Sequence, residues 1–165
     1  MPANTRLFKD KGGVALNTGV KNWVRFEFPS ISENISFARA CAAAFASQLD
    51  CTLEQIEELK LVVSEAVSNS IIHGYAKDPK GVVVLEIKLG EEKTVEIIVE
   101  DRGCGIADVE QAMQPAYSSE SERMGLGFVF MRSFMDDLEV TSEVGVGTRV
   151  RMVKSLLPGK EELGE

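Results

Sequence analysis

LKLVVSEAVSNSIIHGY, residues 59–75, is the stretch whose reading decides the fold. Leu59, Val62, Val63, Ala66, Val67, Ser70 and Ile71 recur at helical spacing on one face, and Leu61 and Ile72 make the opposite side apolar as well. The spacing therefore predicts a helix covered on both sides. Glu65 and Asn69 stand four residues apart on it, so their side chains lie one above the other. An uncompensated buried charge costs on the order of several kcal/mol, so a partner is expected for this pair. A backbone amide or an arginine would serve, and so would a bound cation with its ligand.

Upstream, WVRFEF at 23–28 alternates large apolar with charged residues and stops at Pro29, the period of a half-buried edge strand. Ser30 with Glu33 forms a capping-box pattern before a helix in which Ile35, Ala38, Cys41, Ala42, Phe45 and Leu49 share a face. Arg39 lies off that stripe and is expected to be exposed. Thr52 with Gln55 repeats the capping pattern and opens the helix that carries Glu65, with Gly74 as its expected C-terminal cap.

Downstream, β-rich runs at 82–89 and 94–100 flank GEEK at hairpin spacing, and a second hairpin is expected for 138–142 and 148–154 around EVGVG. Between them come a short helix near 108–113, a polar serine-rich segment at 117–123 that could form a lid, and a helix at 128–135. The resulting order predicts an α/β sandwich, a mainly antiparallel sheet backed by helices. Residues 1–21 show no period and read as a flexible N-terminal extension, 22–156 as one domain, and 157–165 as a solvated tail.

Composition narrows the function. With 165 residues, 44% of them hydrophobic, the chain supports one core. No apolar run approaches the roughly 20 residues of a membrane span, and MPANTRLFKDKGG has no signal-peptide core, so a cytoplasmic protein without a membrane partner is expected. A net charge of -8 argues against a general nucleic-acid binder. Cys41, Cys51, Cys104 and the single His73 show no zinc spacing, so the thiols read as reduced and structural.

Three further short patterns carry possible chemistry. Asp101, followed by Gly103 and Gly105, ends a strand and would present its carboxylate at the sheet's edge beside bare backbone; alone, this also describes a tight turn capped by an aspartate. Gly125-Leu126-Gly127 before a helix offers unencumbered amides and the positive end of a helix dipole, suited to a polyphosphate, although glycines also serve packing. Thr148 follows Gly147 at the start of the last strand. No GxxxxGK[ST] occurs, which excludes an ordinary P-loop.

Taken together, ExxxN on a helix, DxGxG after a strand, GxG before a helix and GT before the last strand resemble the GHKL ATPase/kinase superfamily. SEAVSNSIIHGY, EDRGCGI and ERMGLGFVFMRSFMDD are similar to the anti-sigma F factors, serine kinases of sporulating bacteria, over residues 24–155. The resemblance implies a Bergerat-type fold, ATP with magnesium, and a homodimer. It also implies two protein partners, a sigma factor that is inhibited and an anti-anti-sigma protein that is phosphorylated on serine. By the same resemblance Glu65 is the general base and Asn69 the magnesium ligand. Asp101 accepts from the adenine amino group, Gly103 and Gly105 line the base, and Thr148 supports it. Gly125 and Gly127 form the phosphate loop, Arg123 is a lid residue near the terminal phosphate, and Arg39 docks partners. The segment between Pro115 and Gly125 departs from the family pattern in being shorter and lacking lysine.

Three alternatives stand beside this reading. A two-component histidine kinase would need a phosphoacceptor histidine on a separate helix pair, whereas His73 ends the Glu65 helix. A non-enzymatic, ATP-dependent sigma-binding module would not need Glu65 as a base. A related kinase serving a stress sigma factor would share all of these motifs.

Overall fold

The computed structural model describes residues 4–9, 19–115 and 122–157, without the side chains of 4–9 and 122–125. Alternation along β3 (Val82–Gly90) sends Val83, Leu85, Ile87 and Leu89 to one face, all buried, and Glu86 and Lys88 to the other. β4 (Thr94–Asp101) continues the pattern in register, Leu85 opposite Val99 and Ile87 opposite Ile97. Counting on by twos from Val95, Ile97 and Val99, the next residue on the core face is Asp101.

With β1 (Asn4–Lys9), β2 (Val20–Pro29), β5 (Asp137–Glu143) and β6 (Gly147–Ser155) the sheet has the order β1-β5-β6-β4-β3-β2. Every described pairing is antiparallel, and β2 is an edge strand as its alternation predicts. Helices cover one face. α2 (Leu53–Asn69) buries Leu59, Val62, Val63, Ala66 and Val67, each apolar side chain of valine size or more contributing roughly 1.5–3 kcal/mol. α1 (Glu33–Ala46) meets it through Ala38, Ala42 and Ala46, and α4 (Glu122–Phe134) adds Phe128 and Met131. α3 (Val109–Ala112), capped by Asp108, is the expected short helix. The opposite face of the sheet carries ion pairs, among them Arg149–Glu100 at 2.9 Å, Lys88–Glu86 at 2.8 Å and Arg151–Glu96. The α/β sandwich is therefore the observed architecture.

Two expectations are corrected at the N-terminal end. Asn4–Lys9, inside the stretch read as a flexible extension, forms a strand paired with β5 from Asn4 opposite Ser142 to Lys9 opposite Asp137. Its partner is distant in the chain, so no local pattern announces it. The Ser30–Glu33 capping box does not form, because Ser30 is drawn into the core, its N–H bonded to the Gly81 carbonyl at 2.8 Å. α1 instead begins after Ser32, without a side-chain cap. The Thr52–Gln55 box is present in both directions. Of the tail, residues 158–165 lie outside the described residues.

Candidate functional site

α2 does not end where its apolar spacing suggests. From Ser70 to Gly74 it widens into a π-helical turn, in which the Tyr75 N–H reaches the Ser70 carbonyl at 2.9 Å. The left-handed residues that close the helix are Ala76 and Lys77, with φ of 50° and 63°, so Gly74 is not the C-terminal cap. Gly74 is small for another reason: a Cβ there would stand 3.0 Å from the Asp101 carboxylate. Gly103 packs against the same residue, since a Cβ on it would come within 2.1 Å of the Gly74 carbonyl oxygen. The end of α2 and the DxGxG turn are thus in backbone contact.

Asp101 ends a central strand, not a sheet edge as expected, and it faces the helical layer because it keeps the strand's period. There it lines a cleft together with Asn69, His73, Gly105, Ile106, Phe128 and Thr148, among others. Burial pushes the Asp101 carboxyl above its usual range, against hydrogen bonds from the Gly103 N–H, the Ser70 hydroxyl and the Thr148 N–H. Thr148 Oγ1 lies 2.8 Å from Ser142 Oγ, which also accepts from the Ile106 N–H at 2.8 Å. Two lining atoms, Asn69 Nδ2 and His73 Nε2, are buried without a hydrogen-bond partner. Burial lowers the His73 pKa and so favours the neutral imidazole.

Glu65 lies one turn below Asn69, and both face α4. A Cβ on Gly127 would come 3.0 Å from Glu65 Oε2 and 3.3 Å from Asn69 Nδ2, so a larger residue in α4 would make these two side chains give by a few tenths of an ångström. Burial alone pushes the Glu65 carboxyl upward. Gly125 and Gly127 do not precede a helix as expected; both lie inside α4, which begins at Glu122. Packing of Phe128 and Met131 outweighs a glycine penalty of up to about 1 kcal/mol each. Residues 117–121 of the expected lid and the side chain of Arg123 lie outside the described residues. Arg39 is exposed on α1, and it does not line the cleft.

The two raised carboxyls set a pH dependence. A group whose folded pKa exceeds its unfolded value stabilises fully below the unfolded value, about 4 for Asp and Glu, and loses that contribution as pH rises through the folded one. Glu65→Gln is therefore expected to raise the thermal midpoint of the nucleotide-free protein, by more at pH 7 than at pH 4. Melting curves across that range decide it; a variant that melts below the parent at pH 7 refutes the assignment.

Asn69, Asp101, Gly105 and Thr148 line one cleft, with Glu65 one turn from Asn69, Gly103 against Gly74 and Gly127 against Glu65 and Asn69. Sequence reading placed Ser70 on the apolar face, missed its hydroxyl bond to Asp101, and gave His73 no role beyond ending the helix. The Ser70 N–H still bonds back to the Ala66 carbonyl, so the regular helix places Ser70, while the residues after it follow the π turn, which has no sequence period of its own.

Comparison with known proteins agrees with this fold. A family model described as a histidine kinase-like ATPase domain matches residues 28–154. The anti-sigma F factor of Clostridium novyi (strain NT) is 52% identical over 137 residues, covering 82% of this chain and 95% of the relative. That of Anoxybacillus flavithermus is 46% identical over 143 residues, covering 86% and 97%. Among solved structures, the RsbU and RsbW domains of a Mycobacterium tuberculosis protein superpose with a TM-score of 0.62 at 18% identity, over 84% of this chain and 34% of that one, a likeness of fold.

Proposed function

This chain belongs to the anti-sigma F factor family, within the histidine kinase-like ATPase domains, and from that premise we propose that it binds and inhibits a sporulation sigma factor and uses Mg-ATP to phosphorylate a serine of an anti-anti-sigma protein. The observation that carries the chemical half is the pairing of Glu65 with Asn69 at the rim of the Asp101 cleft, the amide unpartnered and the carboxyl raised by burial. The sigma factor, the serine-bearing partner and the homodimer are carried by the family.

In this reading adenine enters between Asp101 and Thr148, its amino group donating to the carboxylate, and the phosphates extend toward Asn69 and Gly127. Asn69 offers one carbonyl oxygen; among the described residues no group of three or more His, Cys, Asp or Glu converges on a metal position. That donor set fits magnesium, which takes one or two protein oxygens and completes its shell with phosphates and water. Magnesium would supply charge neutralisation across the phosphates. Glu65 accepts the proton of the serine hydroxyl as its oxygen attacks the γ-phosphorus; the bond to the β–γ bridging oxygen breaks and ADP leaves. The amides of Gly125 and Gly127 meet the phosphates once this end of α4 unwinds, which two glycines make inexpensive. By the family resemblance Arg123 would serve as the lid residue near the terminal phosphate.

Labelled ATP incubated with the protein and candidate partners, followed by locating the phosphate, tests the reading; label that never appears on a partner serine refutes the kinase. The docking assignment has its own test. Arg39 is exposed and away from the cleft, so Arg39→Glu is expected to weaken both partner complexes by about tenfold or more, some 1.4 kcal/mol, at unchanged ATP affinity. Partner binding measured with ATP and with ADP also shows whether the terminal phosphate selects between partners; identical affinities in both states rule out a switch.

A further inference from the structure

Three successive backbone donors follow Asp101, and each has a different acceptor. The Arg102 N–H donates to the Tyr75 hydroxyl at 2.7 Å, the Gly103 N–H to Asp101 Oδ1 at 3.0 Å, and the Cys104 N–H to the Gly74 carbonyl at 2.8 Å. Two of the three acceptors belong to Gly74 and Tyr75, at the end of the helix that carries Glu65 and Asn69. The Tyr75 hydroxyl in turn donates to the Val82 carbonyl at 2.6 Å, so its one proton has a fixed direction and its oxygen is left to accept from Arg102.

The ring is held as firmly as its hydroxyl. A Cβ on Gly81 would come 2.4 Å from Tyr75 Cγ and within 2.7 Å of both Cδ atoms, so the ring lies flat on a residue that must be glycine. Gly81 is itself fixed, its N–H on the Asp78 carbonyl at 3.1 Å and its carbonyl on the Ser30 N–H at 2.8 Å. The connection from Tyr75 passes through the left-handed Ala76 and Lys77, a conformation that non-glycine residues adopt at a cost and that persists where surrounding contacts enforce it.

We propose that Tyr75 is a positioning residue for base recognition: clamped between Gly81 and the start of β3, it locks the Asp101-Arg102-Gly103 turn and thereby sharpens selection of adenine. The proposal rests on the reading of Asp101 as the acceptor for the adenine amino group. Arg102 and Val82 are exposed, so in Tyr75→Phe water satisfies both groups and the fold is kept, while the turn loses a constraint. ATP affinity is expected to fall about 3- to 10-fold, the range of one net hydrogen bond, with GTP affinity unchanged because guanine has no donor to offer Asp101 at that position.

Calorimetric titration of ATP and GTP into the parent, Tyr75→Phe, Gly81→Ala and the double variant tests this. Gly81→Ala displaces the same ring and is expected to reduce the ATP-to-GTP ratio in the same direction. The double variant is expected to be no worse than the larger single effect, as for two parts of one device. An unchanged ratio in Tyr75→Phe overturns the proposal, and so does an equal loss for both nucleotides, the mark of a merely structural residue. If Tyr75→Phe does not fold, the ratio in Gly81→Ala decides on the same terms. A parent without preference for ATP overturns the Asp101 reading and this inference with it; a parent with the preference and variants that keep it overturn the Tyr75 role alone.

Discussion

Asp101→Asn is expected to lower ATP affinity by about 10- to 100-fold, the value of a hydrogen bond to a charged group, while leaving the chain folded. The parent should prefer ATP to GTP by a much larger factor. Guanine presents a carbonyl oxygen where adenine presents its amino group, and against the Asp101 carboxylate two acceptors would then face each other in a site where Asp101 is 8% exposed. Sites built on such a polar match discriminate by roughly 10⁴. An asparagine amide can turn its oxygen toward the adenine amino group or its NH₂ toward the guanine carbonyl, so the same substitution should narrow the gap from both sides. Acid should imitate it. Burial raises the Asp101 pKa, and once protonated the carboxyl becomes a donor, so the preference for ATP should fade at a higher pH than an ordinary aspartate would allow. Calorimetry with both nucleotides from pH 4 to 8 reads all three effects, and equal affinities in the parent would remove the adenine assignment.

What sequence could reveal here was governed by how local each determinant is. The Thr52–Gln55 box, the apolar stripe of α2 and the two hairpins are local patterns, and each appears as expected. Asp101 was legible as a residue at the end of a strand, but its direction follows only from the strand's period, which carries it past Val95, Ile97 and Val99 into the helical layer. Elements decided by distant partners were illegible. β1 needs β5, the failure of Ser30 as a cap needs Gly81, and the start of α4 at Glu122 depends on packing that overrides two glycines. The π turn is the sharpest case. It widens the helix without altering its composition, yet it leads into the Tyr75 position from which the ring hydroxyl meets the Arg102 N–H.

The largest kinetic effect should come from Glu65. Glu65→Gln preserves the shape that lets Gly127 approach within a Cβ's width, and Asn69 one turn on is untouched, so nucleotide binding and the partner complexes should remain near the parent values. Basicity is lost, and general-base assistance is worth about 10² to 10⁴ in rate. The raised pKa agrees with that role: a carboxyl destabilised as an anion takes a proton more readily than an ordinary glutamate, and burial alone accounts for the shift. The same strain that favours proton transfer burdens the resting protein, so one substitution should raise the thermal midpoint and abolish partner phosphorylation together. Asn69→Ala should separate from it by losing magnesium-dependent ATP affinity itself. Single-turnover phosphorylation at saturating ATP, set beside calorimetry on the same preparations, distinguishes the two. A Glu65→Gln protein that phosphorylates its partner within a few-fold of the parent rate would leave Glu65 a packing residue beneath α4, and the proton would have to leave by another route.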